Sequence, residues 1–300
     1  MLIRLDTPDA LWPRLPEMDV SGRGAYLDGT FSELPGIVFD TETTGVEPDR
    51  DRVVELGAIC VTRGALTAER RMRINPERPI PASASAIHGI YDADVRDKPV
   101  FAAVAERFIA YLNGGALGDV NVGGGVAWLA AYNAGGFDVP LLNAELVRAG
   151  LPPSLQSQRI LDPMIFVRWH LRHLRSRSLE NVCKHYGIPL NNAHSALGDA
   201  RATALLLLRM VSEGLIPADI ETALAEQAQH RALIAEEWEQ WSYWLYRDRQ
   251  DGRLRLGAGS FCGQYLGEVS GDYLRSLASK VSDLPERVRA TFLEPGPSPS

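Results

Sequence analysis

Four carboxylates and one histidine, spread over three short segments, have the spacing that metal-assisted hydrolysis requires. The segments are Phe39-Asp-Thr-Glu-Thr-Thr-Gly45, Tyr132-Asn-Ala-Gly-Gly-Phe-Asp-Val-Pro-Leu-Leu142 and His194-Ser-Ala-Leu-Gly-Asp199. Asp40 and Glu42 are separated by one residue, so on an extended backbone both side chains project from the same face. Such a pair repels itself unless a cation lies between its members. Asp138 and Asp199 add two more carboxylates, and His194 precedes Asp199 with four residues between them. Breaking a phosphodiester requires the phosphate to be neutralised, hydroxide to form near neutral pH, and the leaving alkoxide to be stabilised. Two Mg²⁺ ions on carboxylate oxygens can do all three. A histidine can take the proton from the attacking water, since imidazole exchanges protons near working pH.

These residues need elements to hold them. The apolar run Gly36-Ile-Val-Phe39 reads as a buried strand that delivers Asp40 and Glu42, after which Thr43, Thr44 and Gly45 open a turn. Arg52 to Val61 is its hairpin partner. Ala127 to Ala131 is another strand, followed by a turn through Ala134-Gly135-Gly136. An amphipathic helix from Val139 to Ala149 has Pro140 in its first turn and Gly150 at its stop. Asp138 is therefore equally placed to be a helix N-cap. A long helix from Ser195 to Ser212 carries Asp199 in its early turns, with His194 at its mouth, where a lone histidine would be a cap or a surface residue. Further strands near 68–75 and 159–162, a helix from Val100 to Leu112 and three helices ending by Gly214 complete an α/β pattern with a mixed sheet.

With these residues in view, the chain resembles the DEDDh, or DnaQ-like, 3′-to-5′ exonuclease superfamily. The likeness covers about residues 35–215 and includes Ala86-Ile-His-Gly-Ile90 and Ser178-Leu-Glu-Asn181. It implies a ribonuclease-H-like fold and removal of nucleotides from 3′ ends with two Mg²⁺ or Mn²⁺ ions. Carried over by position, it makes Asp40, Glu42, Asp138 and Asp199 the metal ligands and His194 the general base. Thr43, Thr44, Asn133, Ile87 and His88 are weaker candidates for holding the terminal nucleotide. Tyr132 stands where most relatives have histidine, and the spacing from Asn133 to Asp138 is similar to that of TREX-type exonucleases. Single-stranded DNA, or the 3′ end of a duplex, is the expected substrate, with RNA as the alternative. A non-catalytic nucleic-acid-binding module or polymerase accessory is the rival from another class.

The 300 residues suffice for one large or two smaller domains, and no run of 18 apolar residues suggests a membrane span. The first residues carry charges where the apolar region of a signal peptide would lie. Cys60, Cys183 and Cys262 lack metal spacing and read as reduced thiols, so the expected location is cytoplasmic. A net charge of −7 is unusual for a nucleic-acid binder. Arg159, Arg168, Arg172, Arg175, Arg177 and Lys184 nevertheless concentrate positive charge ahead of the third segment, where they could form a basic rim. His170, His173 and His185 could add to it at lower pH.

Residues 1–34 read as an N-terminal extension, 35–216 as the exonuclease-like domain and 217–250 as a connecting helix. Trp238, Trp241 and Leu245 share one face of that helix. The aromatic group fits burial against a neighbouring domain, or stacking on nucleobases. Residues 251–294 read as a small module in which Gly263-Gln-Tyr-Leu-Gly267 and Asp272-Tyr-Leu-Arg-Ser-Leu277 resemble a C-terminal element of exonuclease X relatives. A protein partner could bind through this helix and module. The glycine-rich segment 114–125 reads as a loop, and 295–300 as a disordered tail.

Overall fold

A computed structural model describes residues 34–113, 126–190 and 194–294. The glycine-rich segment, the C-terminal tail and nearly all of the N-terminal extension lie outside the described residues. β1 (Gly36–Thr43), β2 (Val53–Thr62) and β3 (Ala65–Arg73) form an antiparallel meander. β4 (Trp128–Ala130) adds to β1 in parallel, and β5 (Ile160–Leu161) adds to β4 in parallel. The order is β3-β2-β1-β4-β5, the mixed sheet that the sequence predicts.

β1 outlasts its parallel partner. β4 pairs only with Gly36, Ile37 and Val38, so among the described residues no strand flanks Phe39 onward on that side. The chain leaving β4 turns beyond the carboxyl ends of these two strands, the usual place for a site in an open α/β sheet.

Helices close both faces. Ile37, Phe39, Leu56, Ala58 and Cys60 pack with residues of α3 (Ala105–Leu112) and α4 (Asp138–Arg148), including Phe108, Leu142 and Leu146. Each large side chain fully buried there contributes about 1.5–3 kcal/mol. On the opposite face α7 (Ala196–Ser212) lies across β1 and β2. A Cβ at Gly57 would lie 2.2 Å from the carbonyl carbon of Ala196, so the start of α7 rests directly on the strand backbone. Burial from both sides explains why β2 is apolar almost without alternation.

α1 (Ala82–His88) and α2 (Asp92–Val95) follow β3, two short helices that the sequence pattern does not reveal. The helix expected from Val100 to Leu112 is interrupted, because Phe101–Ala103 forms a 3₁₀ turn and α3 begins only after Val104. α5 (Pro163–His170), α6 (Leu179–Tyr186) and α7 are the three helices expected before Gly214. No helix among the described residues is long and apolar enough to cross a membrane.

The chain divides into two compact units. The described residues of the first run to Met164 and then from Leu179 to Gln227; those of the second are 165–178 and 228–294. α8 spans Ile220–Trp241, so the connecting helix stops well short of the expected position 250. Ser242 has φ 52°, a left-handed conformation that an α-helix cannot continue through. β6 (Leu245–Arg247) then pairs with β7 (Leu254–Leu256). α9 (Gly271–Lys280) and α10 (Glu286–Leu293) complete a core of Trp241, Trp244, Leu245, Leu274, Val288 and Phe292. Trp238 does not share the buried face expected for it and is 54% exposed.

The second unit also uses much of the expected basic rim. Arg172 is buried and paired with Glu237, Arg175 donates to Ser260 O, and Arg177 donates to Arg172 O. Burial and the Glu237 ion pair take Arg172 out of the expected basic rim, while Arg175 keeps an exposed side chain.

Candidate active site

Register places the first two carboxylates. In the β1–β2 ladder Asp40 faces Gly57 and Glu42 faces Glu55, so all four positions share the face covered by α7. The third carboxylate comes from the first turn of α7. Ser195 caps this helix, its Oγ accepting from Gly198 N at 3.2 Å, and Glu55 Oε1 accepts from Ala196 N at 3.1 Å. Asp199 thereby meets the strand pair, and carboxylate oxygens of Asp40, Glu42 and Asp199 lie within 4.8 Å of one another.

Asp138 arrives from the other side of β1. It is the first residue of α4 and fully buried, and its Oδ1 accepts from Thr41 Oγ1 at 2.8 Å. The N-cap position belongs to Phe137, and no side chain caps this helix, so Asp138 is not spent as a cap. Its Oδ2 is buried without a hydrogen-bond partner, as is Oδ1 of Asp199.

The cluster is acidic and poorly solvated. Desolvation, then the charges of Asp138, Asp199 and Glu42, hold the Asp40 carboxyl well above the usual carboxylate range. Desolvation and Asp199 push Glu42 up to about 8. Burial raises Asp138 to about 7, against the lowering effect of the Thr41 hydrogen bond. Asp199 is also raised by burial, opposed by His194. Four carboxylates that hold protons this strongly, two with orphaned oxygens, form a donor set of the kind hard divalent cations take. The residues present fit such ions.

His194 is exposed and has φ 61°, an uncommon conformation for a side chain of this size. Its charge and backbone both act on Asp199, and His88 is lowered by burial first and by the charge of His194 after that. His88 Nδ1 accepts from Ile90 N at 3.0 Å, and the ring interacts with the Thr43 backbone. The structure therefore brings His88 to the site with His194, while Ile87 is 60% exposed beside it.

The hydroxyls are occupied locally. Thr43 Oγ1 donates to Gly45 O at 2.5 Å, and Thr44 Oγ1 donates to Asp51 Oδ1 at 2.9 Å while accepting from Arg52 N. Both threonines lock the turn after β1. Asn133 takes φ 62°, its N–H donates to Asp162 Oδ1 at 2.8 Å, and its carbonyl accepts from Gly136 N and Phe137 N. This tight turn absorbs the long spacing to Asp138. A Cβ at Gly136 would lie 2.6 Å from Asn133 Oδ1, so only glycine fits there without a shift.

Residue spacing does not reveal three buried carboxylates that support the site: Glu55, Glu145 and Asp162. Each interrupts an otherwise apolar stretch, and that is their only signal in the sequence.

A mixed sheet between helices carries Asp40 and Glu42 on β1 and meets Asp138 and Asp199 from two helices, an acidic cluster in which a divalent ion could sit. The family model RNase_T, described as exonuclease, matches residues 37–207. The chain belongs to this family, the DnaQ-like DEDDh exonucleases. It is 31% identical over 176 residues to the DNA polymerase III subunit epsilon of Treponema pallidum, covering 58% of this chain and 75% of that protein. It is 32% identical over 203 residues to a DNA polymerase III subunit epsilon-like protein of Rhodobacter capsulatus, covering 65% of this chain. The match spans only 27% of that relative's length. The fold is similar to the nuclease domain of 3′hExo, a DEDDh family member solved bound to rAMP, with TM-score 0.52 and 16% identity. That match covers 62% of this chain and 96% of the other. The family depends on divalent metal, and Asp40, Glu42 and Asp199 could hold an ion.

Proposed function

We propose that this chain is a 3′-to-5′ exonuclease that removes nucleoside monophosphates from the 3′ end of DNA. One observation carries the reading: Asp40, Glu42 and Asp199 converge within 4.8 Å while Asp138 approaches from the opposite side of β1. Asp40, Glu42, Asp138 and Asp199 would hold two divalent ions, Mg²⁺ by preference. Such a pair, when bound, neutralises the phosphate, makes hydroxide available near neutral pH and stabilises the leaving alkoxide. His194, exposed beside Asp199, takes the proton from the attacking water on its imidazole. His88, Asn133 and the exposed Ile87 side chain border the terminal nucleotide. Thr43 and Thr44 shape that border through the turn they lock.

DNA is favoured over RNA because the relatives above are named as DNA polymerase III subunits. The same names support association with a polymerase, for which α8 and the C-terminal module are the candidate contacts. Free thiols at Cys60, Cys183 and Cys262 suit the cytoplasm. Single-stranded DNA and RNA of one sequence, each incubated with Mg²⁺, Mn²⁺ or EDTA, test the reading. Mononucleotides should appear with either metal, faster from DNA, and EDTA should stop their release. Faster loss of RNA would reassign the substrate. Intact polymers in both metals would favour a binding module without catalysis.

A further inference from the structure

Two buried glutamates outside the proposed ligand set each tie a ligand-bearing helix to the same strand. Glu55, 1% exposed on β2, accepts from Ala196 N at 3.1 Å, three residues before Asp199. Its other oxygen faces Arg71 Nε at 3.1 Å and Arg73 Nε at 3.5 Å. Glu145, also 1% exposed, lies two turns after Asp138 on α4. Its Oε1 accepts from Val53 N at 3.1 Å, at the start of β2, and from Arg52 Nε at 2.8 Å. Arg148, on the same helix, donates to Asp51 O at 3.1 Å.

We propose that Glu55 and Glu145 are positioning residues that set the placement of Asp199 and Asp138 relative to Asp40 and Glu42 through β2. Burying a carboxylate costs more than burying a leucine, so stability alone does not explain either residue. What each supplies is a directional bond to one backbone N–H, which fixes a helix against a strand in a way that apolar packing does not. Both bonds end on the strand that pairs with the one carrying the first two carboxylates. Asp199 and Asp138 are thus referenced to a common frame. The inference rests on the exonuclease reading for the purpose of the frame, though its first readout is metal binding.

The test compares Glu55→Ala, Glu145→Ala and Glu145→Gln with the wild-type chain. Mn²⁺ binding is followed by electron paramagnetic resonance, and kcat and KM are measured on an oligonucleotide. Residues that support metal ligands cost about 10–100-fold in metal affinity or activity when removed. Both alanine variants should lose Mn²⁺ affinity and kcat by about that factor, with KM for the oligonucleotide within about twofold. Glu145→Gln keeps the accepting oxygen and should recover most of the loss. Alanine variants that melt earlier yet bind Mn²⁺ and turn over like wild type would overturn the proposal, leaving a purely structural role. If Glu55→Ala does not fold, the Glu145 pair decides. A wild-type chain that binds Mn²⁺ but cleaves nothing would overturn the exonuclease reading alone, since the affinity comparison still judges the clamps.

Discussion

Thr41 Oγ1 donates to Asp138 Oδ1 at 2.8 Å, joining two carboxylate motifs that lie 97 positions apart in the chain. Thr41 points away from the face that carries Asp40 and Glu42. One strand thus presents two carboxylates on one side and holds Asp138 from the other.

Burial raises Asp138 to about 7 even against the lowering effect of that hydrogen bond. Replacing Thr41 by Val removes it, so the Asp138 pKa should rise further. Divalent metal, which must displace that proton, should then bind more weakly at neutral pH, and the acid limb of the activity profile should move to higher pH. A pH–rate profile of Thr41→Val beside wild type, at several metal concentrations, checks both.

Gly57 sits under Ala196 with no room for a methyl group. Gly57→Ala should lift α7 from the sheet, costing about 1–3 kcal/mol in stability. A displacement of about 1 Å at Asp199 can cost on the order of 100-fold in rate. Activity should therefore fall further than the thermal midpoint suggests, which parallel melting and turnover assays would show.

The raised carboxylates also set the pH dependence of the metal-free protein. Glu42, at about 8, and Asp138, at about 7, hold protons more tightly when folded than when unfolded. Their stabilising effect is full below about pH 4, the unfolded range, and is lost as pH rises through about 7 and 8. In EDTA the melting temperature should therefore drop over that window. Divalent metal, which displaces the protons, should raise it more at about pH 9 than at about pH 5. Melting curves with and without Mg²⁺ at the two pH values measure this, and an equal metal effect at both would contradict it.

Much of the site is legible in the sequence because strand and helix periods carry it. Asp40 and Glu42 follow an apolar run of strand length, and Asp199 opens a long helix with an apolar face. Glu55 is not legible as a support. It lies in a strand buried on both faces, where period-two alternation is absent, and its partner Ala196 is 141 positions away. The end of α8 is hidden for a different reason. Neither Gly nor Pro follows Trp241 to mark the stop, and the break appears only in the left-handed Ser242 and in the burial of Trp244 and Leu245 in the second core. The arginines between 172 and 177 look like a free basic stretch because their acceptors, Glu237 and Ser260, are remote in sequence.

The aromatic residues around the end of α8 should divide by burial. Trp244→Ala opens the core of the second unit, where it meets Phe292 edge-on, and should cost about 3–5 kcal/mol. Trp238→Ala, at an exposed position, should stay within about 0.5 kcal/mol. Denaturant unfolding of both variants distinguishes them.

The central claim is directional, metal-dependent hydrolysis by the Asp40–Glu42–Asp138–Asp199 cluster. Its most direct test is digestion of single-stranded DNA labelled at the 5′ end, with Mg²⁺, by wild type and by Asp199→Asn. The account predicts a ladder of labelled products shortening stepwise from the 3′ end, abolished by EDTA and in the folded variant. Labelled DNA that stays full length with wild type, or a label released at once as a mononucleotide from the 5′ end, would contradict it.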